Sequence, residues 1–274
     1  MEYIPILTIA GSDCSGGAGI QADIKTISAL GGYAMSAVTA VTVQNTLGVS
    51  EVFPVPPSVV AGQIRAVLSD IRPCAIKIGM VTDEALIRCI AECLSDCPDI
   101  PVVFDPVMVS SSGYPLLPPS ALQVLKEELL PRCTLLTPNI PEAGLLSGFS
   151  LQSDEDTTTA ATAILAGGCR AVLIKGGHRT DTCMTDFLAL SSAAGIATYT
   201  YTEQKIRSAN THGTGCTLSS AIATFLGRGW ELPEAVRAGK AYLTEALRSG
   251  KDVRVGHGTG PLNHFFSPLK QIVR

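Results

Sequence analysis

Charged residues are scarce in this chain. They make up 16% of its 274 residues, against 46% hydrophobic ones, so much of the sequence has to be buried. That balance suits one large α/β domain, residues 1–274, better than two ordinary ones. A basic excess is also missing: the formal net charge of -4 leaves no footprint for nucleic acid or for acidic lipid headgroups. No apolar run approaches the roughly 18 residues of a membrane span. Residues 1–10 carry Glu2, have no basic flank and lead straight into glycine-rich sequence, so they read as a first strand rather than a signal peptide. No linker, low-complexity tract or internal repeat divides the chain.

The nine cysteines are odd in number and scattered through a chain large enough to need no staples, which favours reduced thiols in a cytoplasmic protein. Cys89, Cys93 and Cys97 recur every fourth residue, as along one helix face. A metal site would need further ligands and no histidine lies near, so packing or surface thiols are the expectation.

Residues 3–10 are an apolar run bounded by Gly11, Ser12 and Asp13, which predicts a buried strand. Ile20, Ile24, Ile27 and Leu30 fall on one face of a helix over 19–30, closed by Gly31 and Gly32. The same reading gives strands at 33–44, 75–79, 102–105, 134–136 and 171–175. Helices are expected at 58–71, 83–94, 120–129, 141–146 and 154–166. A late strand pair, 185–190 and 196–201, and two long helices, 214–226 and 233–248, complete the pattern. Alternating helices and almost wholly apolar strands mean a mostly parallel sheet with helices on both faces. Ligands bind beyond the carboxyl ends of such strands. Residues 13–19, Gln44, Asn45, 77–80, Asp105, 137–142 and 175–178 all sit there, which points to an enzyme.

Gly17, Gly19 and Ala22 match a relaxed dinucleotide-binding fingerprint, but that reading needs an acid near the end of the second strand, and 37–45 has none. A Walker-A loop is absent too, since Gly239-Lys240 is followed by Ala241 and Gly250-Lys251 by Asp252. The run Asn210-Thr-His-Gly-Thr-Gly-Cys-Thr217 leads directly into an apolar helix. Its glycine pair lets successive N–H groups converge at a helix N-terminus, a nest for phosphoryl oxygens. The plainer alternative is a glycine turn capped by Thr214. Cys216 in that position is expected to have a depressed pKa and to take a proton from a substrate hydroxyl. Lys175 ends a buried strand, where an ammonium calls for an anion. Asp105 and Glu142 follow strands and are either hard oxygen ligands for Mg²⁺ with a nucleotide or loop hydrogen-bonding groups. Asp23 and Gln44 lie by the first strands. There they pair with the ring nitrogens and amine of an aminopyrimidine, or serve only as a solvated first-turn carboxylate and a strand-end amide.

Seven ordered segments then carry a resemblance: residues 13–23, 42–46, 77–80, 105–108, 136–143, 175–178 and 212–217. Together they resemble the bifunctional hydroxymethylpyrimidine and phosphomethylpyrimidine kinases of thiamine synthesis, a branch of the ribokinase-like superfamily. Residues 255–258 and 261–264 extend the match over essentially the whole chain. The resemblance implies a three-layer α/β/α ribokinase-like fold with little or no lid, a homodimer, and MgATP as phosphoryl donor to a small-molecule substrate. It implies that Gln44 binds the pyrimidine with Ala18, Asp23, Met80 and Val107 around it. Lys175, Asn139, Gly213, Thr214, Gly215 and Cys216 would serve the nucleotide phosphates, with Asp105 and Glu142 near Mg²⁺. Cys216 stands where most of the superfamily has an aspartate base, as is the pattern of this branch, and with Lys175 it forms the catalytic pair. Ile78 and Cys14 depart from many relatives, which have threonine and serine or proline there. A pyridoxal kinase of the same branch is the nearest rival, and a non-catalytic vitamin-binding protein is another. His257 and His264 suggest a metal pair or, on ligand count, glycine-rich surface turns.

Overall fold

The computed structural model describes residues 1–109, 113–114, 116–176 and 182–274. Along the chain it contains β1 (Pro5–Asp13), α1 (Gly19–Ala29), β2 (Tyr33–Asn45), β3 (Gly48–Pro54), α2 (Pro57–Asp70), β4 (Ala75–Ile78), α3 (Glu84–Ser95), β5 (Val102–Phe104) and α4 (Ala121–Val124). It continues with β6 (Leu135–Leu136), α5 (Ile140–Ser147), α6 (Asp154–Ala166), β7 (Ala171–Ile174), β8 (Cys183–Ser192), β9 (Gly195–Gln204), α7 (Thr214–Gly227) and α8 (Leu232–Gly250). One sheet takes all nine strands in the order β3-β2-β1-β4-β5-β6-β7-β8-β9. β2, β1, β4, β5, β6 and β7 run parallel; β3 pairs antiparallel with β2 at one edge, and at the other β8 pairs antiparallel with β7 and β9 antiparallel with β8.

Alternation along each strand sends side chains to two apolar layers. Leu7, Ile9, Ile76, Ile78, Phe104 and Ile174 pack with α2, α3, α5 and α6. Ile6, Ala75, Val103, Leu135 and Leu173 pack on the other face, against α1, α7 and α8. This is the expected α/β/α sandwich. Its carboxyl-end loops all open at one end of the parallel strands, so one edge collects the loop residues singled out above.

Two elements differ from the sequence reading. β3 pairs antiparallel with β2 across a turn in which Asn45 Oδ1 accepts from Leu47 N at 2.9 Å. As an edge strand it is largely exposed, so it lacks the apolar run that marks the buried strands. The helix expected over 120–129 begins as α4 and widens into a π-helical turn over Leu125–Leu129.

Candidate active site

The glycine loop after β1 folds around a carboxylate of its own. Asp13 Oδ1 accepts from Ser15 N at 2.8 Å and Ser15 Oγ at 2.7 Å, and Oδ2 accepts from Gly17 N at 3.1 Å and Ala18 N at 2.8 Å. His212 Nε2 approaches Oδ2 to 2.8 Å. Burial would raise this carboxyl, but the bonds from His212 and Ser15 outweigh it and hold Asp13 well below the usual carboxylate range. The loop amides that a dinucleotide would use are therefore engaged by Asp13.

The motif before α7 is anchored from behind. Asn210 Nδ2 donates to Gly250 O at 2.7 Å, and His212 N donates to Gly260 O at 3.1 Å. Gly213, at φ 86°, is the residue that starts the helix, and no side chain caps it. The capping role considered for Thr214 is not what the fold uses. A Cβ on Gly213 would collide with Gly17 O, and one on Gly215 would lie 2.8 Å from Asp105 Oδ2 and 3.5 Å from Lys175 Nζ. The α7 N-terminus is thus wedged between the β1 loop and the Asp105–Lys175 pair.

That pair supplies the anion that Lys175 called for. Lys175 Nζ lies 2.6 Å from Asp105 Oδ1, which also accepts from Thr137 Oγ1 at 3.0 Å. Burial alone would lower the Lys175 ammonium, but Asp105 and Glu142 raise it above its ordinary value. Glu142 and Asn139 form a reciprocal cap on α5, with Asn139 N donating to Glu142 Oε2 at 2.8 Å and Glu142 N to Asn139 Oδ1 at 2.9 Å. Burial pushes the Glu142 carboxyl up to about 7, against the pull of Lys175 and with the push of Asp105. On the far side of Lys175, Gly176 N donates to Asp186 Oδ1 at 2.9 Å, and Lys240 holds Asp186 Oδ2 at 2.7 Å. Gly177 and His178 of the same sequence run lie outside the described residues.

Cys216 requires a correction. The helix N-terminus was expected to depress its pKa, yet burial pushes the thiol up to about 11. Lys77 pulls in the other direction, while Asp23 and Asp105 add to the rise. Loss of water around the thiol outweighs the helix dipole here, and the charge of the two buried carboxylates adds to it. Beneath it, Lys77 Nζ and Asp23 Oδ2 form an ion pair at 2.8 Å with both side chains 0% exposed. Asp23 also accepts from Thr8 Oγ1 at 2.6 Å and Ser220 Oγ at 2.7 Å. A solvated first-turn carboxylate is thereby excluded for Asp23. His264 also departs from expectation. It is not on a surface turn but 3% exposed, with Nε2 3.0 Å from Thr217 Oγ1.

Gln44, half-buried at the end of β2, has its amide nitrogen 3.1 Å from His212 Nε2 and its amide oxygen 3.1 Å from Thr42 Oγ1. Thr39 Oγ1 donates to Met80 O at 2.8 Å, and the Met80 side chain packs against Gly11. Val107 and Ala18 are half-buried on the neighbouring loops. Contacts thus run from Gln44 through His212, Asp13 and Gly17 to Gly213, and from Gly215 to Asp105 and Lys175.

A family model described as phosphomethylpyrimidine kinase matches residues 13–263. The chain belongs to the phosphomethylpyrimidine kinase family. It is 44% identical over 266 residues to the hydroxymethylpyrimidine/phosphomethylpyrimidine kinase of Escherichia coli strain K12, covering 97% of this chain and 98% of that one. A crystal structure of phosphomethylpyrimidine kinase from Clostridium difficile 630 is 44% identical and superposes with a TM-score of 0.78, covering 89% of this chain and 99% of that one. The pyridoxal kinase from Staphylococcus aureus, in complex with AMP-PCP and pyridoxal, is 35% identical with a TM-score of 0.87, covering 97% and 95%.

Within this member of the phosphomethylpyrimidine kinase family, several groups escaped the sequence reading. Asp13, His212 and Lys77 lay inside the seven segments without a role, Lys240 was weighed only as part of an absent Walker-A loop, and Asp186 was not singled out. A lysine in a strand of otherwise apolar residues was the one usable signal for Lys77. The Lys240–Asp186 pair joins residues 54 positions apart and left no local trace.

Proposed function

We propose that this chain transfers the γ-phosphoryl group of ATP to 4-amino-5-hydroxymethyl-2-methylpyrimidine, and then to the monophosphate, giving the pyrophosphate for thiamine biosynthesis. The observation that carries this reading is the uncapped N-terminus of α7, set between Asp105–Lys175 on one side and Gly17–Ala18 with Gln44 on the other. Amides at a helix N-terminus are ready-made for phosphoryl oxygens.

The roles follow from this placement. The α7 amides from Gly213 through Cys216 cradle the group in transfer, and Lys175 neutralises charge that develops on it. Asn139 fixes the α5 end of the phosphate cradle. Gln44 reads the ring, with Ala18, Met80 and Val107 around it. Asp23 is enclosed by Lys77, Thr8 and Ser220, so its part is to hold the floor of the ring site and the charge of Lys77. The hydroxymethyl oxygen attacks the γ-phosphorus, the bond to the bridging oxygen of ADP breaks, and the hydroxyl proton passes to Cys216 Sγ in its thiolate form, the minor form of a thiol pushed up to about 11.

Asp105 and Glu142 fit Mg²⁺ on donor chemistry: two buried carboxylates face one cation, Lys175, and Glu142 is pushed up by burial, with Asp105 adding to the rise. When bound, Mg²⁺ neutralises phosphate charge, and Asp105 and Glu142 would hold it.

We further place the protein as one domain, cytoplasmic and a homodimer. No helix of the described residues is long and apolar enough to cross a membrane. Support for a second copy comes from the β2–β3 edge, which exposes Val41, Val43, Leu47 and Phe53. Pyridoxal as substrate is the second reading, supported by the likeness to a pyridoxal kinase bound to pyridoxal. The higher identity to the pyrimidine kinases favours the first.

A substrate panel with ATP and Mg²⁺ tests the choice. Hydroxymethylpyrimidine and its monophosphate are expected to be phosphorylated in succession. Phosphorylated pyridoxal without either pyrimidine product would reverse the assignment, and no nucleotide consumption with any acceptor would favour a binding protein.

A further inference from the structure

His212 takes no part in the chemistry above, yet it is buried at the junction of three loops. Among the described residues, Ser15 N, Ser15 Oγ, Gly17 N and Ala18 N all donate to the Asp13 carboxylate, and His212 Nε2 is the remaining polar atom that reaches it. A carboxylate so surrounded is an anion acting only as acceptor. The hydrogen on His212 Nε2 therefore points at Asp13 Oδ2, 2.8 Å away. With that hydrogen in place, Nε2 has no lone pair left to accept another.

This decides which end of the Gln44 amide faces the imidazole. The amide atom 3.1 Å from Nε2 therefore cannot be the donor nitrogen; it is the oxygen, which shares the Nε2 hydrogen with Asp13 in a three-centre contact. The two ends of such an amide exchange by a half-turn with almost no change of shape. The half-turn also resolves a second conflict. Thr42 has one hydroxyl hydrogen, and Ser12 O accepts it at 3.0 Å. The other Thr42 contact, 3.1 Å to the Gln44 amide, must then be donated by the amide nitrogen. Held in this way, the half-buried amide keeps one hydrogen and one lone pair side by side for a ligand. A ring nitrogen next to an exocyclic amine offers the complementary acceptor and donor.

We propose that Asp13 and His212, together with Thr42, form a positioning relay that fixes the Gln44 amide in one orientation and makes the site select a heterocycle carrying an amine beside a ring nitrogen. This rests on the pyrimidine kinase reading. His212 and Thr42 are positioning residues acting through Gln44.

The test compares kcat/KM for 4-amino-5-hydroxymethyl-2-methylpyrimidine with that for the same compound lacking the 4-amine. The parent protein is expected to prefer the amine. His212→Phe and Thr42→Val should each reduce that preference about 3- to 10-fold, through KM for the amino compound and with KM for ATP unchanged. His212→Gln keeps a donor for Asp13 and should restore most of the preference. An equal preference in the parent, in His212→Phe and in Thr42→Val would overturn the relay. So would a His212→Gln variant no better than His212→Phe. Thr42→Val alone decides if His212→Phe does not fold. Failure of the parent to phosphorylate the amino compound at all would instead sink the pyrimidine kinase reading, before any variant is made.

Discussion

Gln44 and Cys216 carry the two residue-scale predictions. Replacing Gln44 by Ala removes about one neutral hydrogen bond to the ring, worth roughly 0.5–1.5 kcal/mol. KM for the pyrimidine should rise correspondingly while that for ATP stays nearly constant, and equal losses would make Gln44 a scaffold residue. For Cys216 the thiol pushed up to about 11 changes the form of the expectation. At pH 7 only about 10⁻⁴ of it is thiolate. If the thiolate is the base, kcat for the first transfer should climb with pH, about tenfold per unit between pH 6 and 9. Transfer to the monophosphate, already an anion, should stay flat. Cys216→Asp should abolish the slope, and Cys216→Ala should lower first-step kcat by about 10²–10⁴. A first transfer that is flat with pH and unchanged in the alanine variant would leave catalysis to positioning and the anion cradle. The place of Cys216 was legible in the sequence because a glycine pair before an apolar helix is a local pattern. Its titration was not, because burial beside Asp23 and Asp105 joins residues far apart in the chain.

Elements were read well where periodicity was strong. The helix expected over 154–166 is α6 (Asp154–Ala166), and β4 to β7 lie within a residue of their expected bounds because burial on both faces leaves a continuous apolar run, whereas β1, expected over 3–10, runs on to Asp13. β3 was missed for the opposite reason, since an exposed edge strand has no such run. What no pattern displays is how elements are tied together below the site. Lys77 of β4 binds Asp23 of α1, whose oxygens also take Thr8 of β1 and Ser220 of α7. Lys77→Met would leave Asp23 buried without its cation and should destabilise the fold by about 3–5 kcal/mol in urea denaturation. Adding Asp23→Asn to Lys77→Met should recover part of the loss, because the remaining side chain is neutral, its amide oxygen still accepts from one of the Ser220 and Thr8 hydroxyls, and its nitrogen can donate to the other. A single variant as stable as the parent would mean that the pair contributes no net stability.

At the scale of the whole molecule, a few buried titratable groups set how stability varies with pH. Net stabilities of 5–15 kcal/mol are typical, so one group worth a few kcal/mol matters. His264 lies under the first turn of α7, where its carbonyl accepts from Tyr242 Oη at 2.7 Å. Burial, with Lys25 adding to it, pulls the imidazole down to about 4. In the unfolded chain it titrates near 6.5. Between those values the unfolded state binds the extra proton and the folded state does not, so stability falls as pH drops from about 6.5 to about 4. The contribution is complete above that window and amounts to on the order of 3 kcal/mol. Glu142 opposes it. Raised to about 7, it binds a proton in the fold first, so its contribution declines as pH rises from about 4.5 to about 7. The two slopes partly cancel, and the parent curve alone is uninformative. The comparison that isolates His264 is parent against His264→Gln, which keeps a polar group for Thr217 but cannot take a proton. Urea midpoints at pH 7.5, 6.0 and 5.0 should show the parent losing ground to the variant by about 1–2 kcal/mol across the series. A difference that does not change with pH would mean that His264 is solvated when charged, and that the α7–α8 layer opens around it.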